Sequence, residues 1–100
     1  MNALDRIRLA YEEGCRHEDR RTHSGQVWFL EEPVIAAERA ADEARKAVLA
    51  AERGAWRMAI RHVCYACRLE KAEYGHCRVW RSLYRAVRAA CRLQAAGSSL

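Results

Sequence analysis

Little in this sequence interrupts a helix. There is a single proline, Pro33, and five glycines in 100 residues, whereas alanine alone supplies nineteen. Proline removes a backbone donor and glycine is the costliest other residue in a helix interior, so this balance argues for an all-α chain. Long apolar runs are also missing. "AVLAA" (47–51) is typical of the longest, while a membrane-spanning helix needs about 20 residues, so no span and no membrane partner is expected. The first residues, "MNALDRIRLAYEEG", carry acids and no apolar core of a secretory signal. Five cysteines, an odd number without framework spacing, fit free thiols in a reducing, cytoplasmic setting.

Catalytic signatures are absent too. The sequence has no glycine-rich phosphate loop, no G-x-S-x-G elbow and no H-E-x-x-H, so neither an enzyme nor a cofactor is expected. Acids are scarce in one half only. Residues 1–53 hold nine Lys/Arg against eleven Asp/Glu, a net −2, whereas residues 54–100 hold nine against two, a net +7. Sixteen of the eighteen cations are Arg. The basic surface therefore belongs to the C-terminal half.

What is present is helical periodicity in one domain spanning residues 1–100. Asn2 is placed as an N-cap with Asp5 three residues on, and Leu4, Ile7 and Tyr11 share a face, which predicts a helix over about 2–14 that ends at Gly14. The polar stretch "CRHEDRRTHSG" follows, and then "QVWFLEEP", whose Trp28 and Phe29 either plug the end of a helix pair or anchor a partner. Pro33 suits the first turn of the next helix.

From there Ala37, Ala41, Ala44, Val48, Ala51, Ala55, Ala59, Val63 and Ala66 keep one phase through Gly54. That predicts a continuous helix over about 33–73, bent at Gly54. A last helix over about 76–96 pairs with it antiparallel, with Trp80, Leu83, Val87 and Ala90 as its seam and Gly97 just past its end. The expected architecture is a short N-terminal helix packed on a long antiparallel hairpin. Such a hairpin leaves residues 33–53 mostly uncovered, so helix one must bury the alanine stripe or a homodimer must do so through residues 36–51.

Two constellations carry chemistry. "HVCYACRLEKAEYGHC" (62–77) gathers His62, Cys64, Cys67, His76 and Cys77. Structural zinc wants four tetrahedral ligands, and its C-x₂-C pair sits on a tight turn. "CYAC" lies in a helical pattern, and pairing about Gly75 puts Cys77 on the order of 9 Å along the axis from Cys67. The stretch reads as a helical elbow with buried thiols rather than a metal site.

The second constellation is "RVWRSLYRAVRAACR". Arg78, Arg81, Arg85, Arg88 and Arg92 are spaced 3, 4, 3, 4, a ridge about 21 Å long on a helix, with Tyr84 at its flank. Arg53, Arg57, Arg61, Arg68 and Lys71 form a second ridge. The ridges are either solvated faces neutralised by acids such as Glu12 and Glu13, or docking surfaces for carboxylate or phosphate.

No helix-turn-helix spacing, zinc finger or RNA-recognition sheet accompanies them. The expected function is a non-enzymatic inhibitor or adaptor that contacts a larger host protein or nucleoprotein complex through the arginine ridge and the Trp28/Phe29 region. In style it resembles the small proteins that phages and mobile elements encode, anti-CRISPR proteins among them. The alternative is a DNA- or RNA-binding accessory protein without sequence preference.

Overall fold

The computed structural model describes residues 1–22 and 31–97, with the side chains of residues 20–22 and 31–34 outside that description. Among the described residues every regular element is an α-helix: α1 (Ala3–Thr22), α2 (Glu31–Glu52), α3 (Trp56–Tyr74) and α4 (Arg81–Ala95). None is long and apolar enough to cross a membrane.

α1 begins as the sequence predicts. Asn2 Oδ1 accepts a hydrogen bond from the Asp5 backbone N–H at 2.8 Å, pairing one of the donors that a first turn leaves open. The helix does not end at Gly14, however, but runs on to Thr22. Gly14 is there for packing. The Trp80 ring lies against its backbone so closely that a β-carbon would sit 2.3 Å from ring atom Cζ3. Glycine costs a helix interior about 1 kcal/mol relative to alanine, and the burial of Trp80 offsets it. Trp80 is fully buried and stacks on Tyr11 with ring centroids 5.9 Å apart.

The continuous helix over 33–73 is not formed. α2 stops at Glu52, and Gly54 takes the left-handed conformation at φ 74°. The Gly54 N–H then donates to the Ala51 carbonyl at 3.0 Å and the Ala55 N–H to the Ala50 carbonyl at 2.8 Å. This pair of bonds closes a helix with glycine at C′. The chain reverses over Arg53–Ala55, and the single apolar stripe folds onto itself. Ala40, Ala44, Ala47 and Ala51 of α2 share one core with Ala59, Val63 and Ala66 of α3.

α2 and α3 form the most extensive contact, while α1 packs on α2 and α4, and α4 on α3 and α1, closing a ring of four. Three links show neighbours running antiparallel. Arg8 Nη2 donates to Glu52 Oε2 at 2.7 Å, joining the start of α1 to the end of α2. His62 Nδ1 lies 2.6 Å from Glu43 Oε2 between α2 and α3. Cys91 Sγ lies 3.7 Å from the Trp56 carbonyl, joining the end of α4 to the start of α3. The short helix on a two-helix hairpin is thus replaced by four helices, with the second predicted helix split in two.

Among the described residues ten of the sixteen buried apolar side chains are alanines, so the axes pack close together and few large side chains are needed to fill the interior. Trp80, Ile7 and Leu83 are the largest apolar ones. The α2 alanines are covered from within the chain by α1 and α3. That removes the uncovered stripe which motivated a homodimer through residues 36–51.

Candidate functional site

The elbow between α3 and α4 is built around a residue that composition alone does not single out. Glu70, 1% exposed, accepts hydrogen bonds from three consecutive backbone N–H groups. Arg78 and Val79 donate to its Oε2, both at 3.0 Å, and Trp80 to its Oε1 at 3.2 Å. α4 has no side-chain cap of its own. The buried carboxylate of the preceding helix instead pairs the N–H groups of two linker residues and of Trp80 at the N-cap, placing negative charge near the positive end of the α4 dipole. It fixes the angle at which α4 leaves the elbow and hence the side that α4 presents to solvent.

Residues 75–80 are not helical, so the extrapolated separation of Cys67 and Cys77 fails. Cys67 Sγ donates to the Trp80 carbonyl at 3.7 Å, and the linker leaves Cys77 near enough for the two thiols to influence each other's ionisation. Burial first, and then Cys77, push the Cys67 thiol far above its ordinary value; burial also raises Cys77 and Cys91. All five cysteines are unbonded and half-buried. Among the described residues no group of three or more His, Cys, Asp or Glu is placed to hold a metal ion.

α4 separates its two faces as expected. Trp80, Leu83, Val87 and Ala90 are fully buried. Arg81, Arg85, Arg88 and Arg92 stand exposed on the other side. Arg78 departs from the predicted ridge. It is exposed but lies in the linker, where its backbone serves Glu70, so the helical ridge has four arginines over about 16 Å. These four, with Tyr84 and Ala89, line an open groove of ≈ 420 Å³. Tyr84 is half-buried and packs against the core, which leaves little of its ring to a ligand.

Among the described residues no ion pair engages Arg78, Arg81, Arg85, Arg88 or Arg92. Neutralisation by Glu12 and Glu13 is not seen, and other acids are committed elsewhere. Asp42 pairs with Arg45 at 2.8 Å and Lys46 at 3.2 Å, whose hydrogen bonds hold its carboxyl below the usual range. Glu52 pairs with Arg8. The groove is therefore a row of fork-shaped donors without acceptors of their own, suited to carboxylate or phosphate oxygens.

The second ridge divides. Arg57, Arg61, Arg68 and Lys71 are exposed along α3, whereas Arg53 sits in the turn after α2. Trp28 and Phe29, the other expected contacts, lie outside the described residues. Comparison with protein-family models, curated protein sequences and solved structures finds no match to this chain.

Proposed function

We propose that this chain is a non-enzymatic inhibitor or adaptor that docks the arginine face of α4 onto an acidic surface of a larger protein. The observation that carries the reading is the groove lined by Arg81, Arg85, Arg88 and Arg92, which has no neutralising partner among the described residues. Like charges held on one helix face repel, and an acidic partner relieves that repulsion while supplying the acceptors each guanidinium lacks. Arginine is suited to this role because its planar fork meets a carboxylate with two parallel hydrogen bonds.

Carboxylate is favoured over nucleic acid at this face because Tyr84, its one aromatic, packs into the core rather than standing free for a base to stack on. The test is affinity capture from a lysate of the producing cells, with and without nuclease. A defined protein partner that persists through nuclease treatment, and is lost with the triple variant Arg81→Glu, Arg85→Glu, Arg88→Glu, is the expected result. Capture that disappears with nuclease and is also lost with this triple variant would instead make this face a phosphate-binding surface.

A further inference from the structure

The α3 face differs from the α4 groove in one respect that changes its ligand. Met58, Arg61, Tyr65 and Arg68 follow one another at spacings of 3, 4 and 3, so their side chains lie along one line on the helix surface. The line is turned away from the core, into which α3 instead buries Ala59, Val63, Ala66 and Glu70. Tyr65 is 51% exposed and Met58 47% exposed, so about half of each is left open to solvent. The fold gains little from placing a bare aromatic ring and a thioether between guanidiniums. Arg61, Arg68 and their neighbour Arg57 have no ion pair among the described residues.

We propose that this α3 face is a second binding surface, for single-stranded nucleic acid without sequence preference. A base whose edges are unpaired stacks on the Tyr65 ring, and the phosphates on either side of it meet Arg61 and Arg68, one helical turn away in each direction. Every base has a π face, so stacking supplies affinity without selecting sequence. Asn and Gln, which read base edges, are absent from α3. The contrast with α4 is internal to the molecule: the charge is similar, but Tyr84 of α4 is half-buried and Tyr65 of α3 is open to solvent. This surface is independent of the α4 docking face and shares no residue with it.

The experiment is fluorescence anisotropy of labelled oligothymidylate and oligouridylate against the intact chain over a salt series. Binding is expected to weaken steadily with salt. Tyr65→Ala should lower affinity roughly 5- to 150-fold, the range of one stacked base, while Tyr65→Phe should bind like the parent. Arg61→Gln with Arg68→Gln should make the salt slope shallower by about 1.4, as expected when two phosphate contacts on a single strand are lost. All these positions are exposed, and circular dichroism checks that the helices are retained.

The triple charge reversal on α4 should leave the dependence on Tyr65 in place. The proposal is overturned if the chain fails to bind at low salt, if Tyr65→Ala binds as tightly as the parent, or if polyglutamate displaces the oligonucleotide at equal charge concentration. The last result would assign this face to acidic polypeptide as well. None of these outcomes bears on whether α4 captures a protein, so the two surfaces stand or fall separately.

Discussion

Glu70 shows how one buried acid sets the geometry of a surface it does not touch. Three N–H groups in a row depend on its two oxygens. Removing an acceptor from buried donors leaves a desolvation cost of about 1–3 kcal/mol. Glu70→Ala should therefore destabilise the chain by about 3 kcal/mol, and Glu70→Gln, which keeps one acceptor oxygen, by roughly 1–2 kcal/mol, both read from urea denaturation. Tyr11 offers a test in pH. Burial first, and then its contact with Cys15, push its phenol up to about 12 from an ordinary value of 10. Below pH 10 the phenol is protonated in both folded and unfolded chains. Between pH 10 and 12 only the unfolded chain releases the proton, so this contribution is fully present below pH 10 and is lost as pH rises through 12. Denaturation across that window should show a steeper loss for the parent than for Tyr11→Phe.

At the scale of elements, the turn at Gly54 decides between one rod and two packed helices. Gly54 has open space around its α-carbon, so a side chain there meets no clash and pays only for the left-handed backbone. Gly54→Ala should cost about 1–2 kcal/mol in thermal or chemical denaturation; an unchanged or raised stability would mean that the helix runs straight through. The helices themselves were legible in the sequence: the Asn2 cap, the alanine stripe and the Trp80/Leu83/Val87/Ala90 seam lie where periodicity puts them. The break at Gly54 was misread because two faces that meet across a turn can hold the same phase as one unbroken stripe. Gly14 was misread as a helix end because its reason is the Trp80 ring, 66 positions further along the chain. The four arginines of the α4 ridge were legible from spacing alone, but Glu70 was not, since its partners are backbone groups of a linker whose path is not encoded in any local pattern.

For the whole molecule, the charge imbalance between halves becomes a spatial one. α3 and α4 are adjacent and carry exposed cations on their solvent sides, while among the described residues four acids of α1 and α2, Asp5, Asp42, Glu43 and Glu52, pair with cations of those same helices. A basic half held on a rigid helical frame approaches an acidic partner in a preferred orientation, and the association is sensitive to salt. The most direct test of the docking surface is photo-crosslinking from a benzoylphenylalanine placed at Ala89, an exposed position lining the α4 groove, in the cells that produce the chain. The expected result is a discrete protein adduct that vanishes when Arg81, Arg85 and Arg88 are reversed to Glu and persists when Arg61 and Arg68 are changed to Gln. Adducts only to nucleic acid, or a protein adduct indifferent to the α4 arginines, would contradict the assignment of this face to an acidic protein.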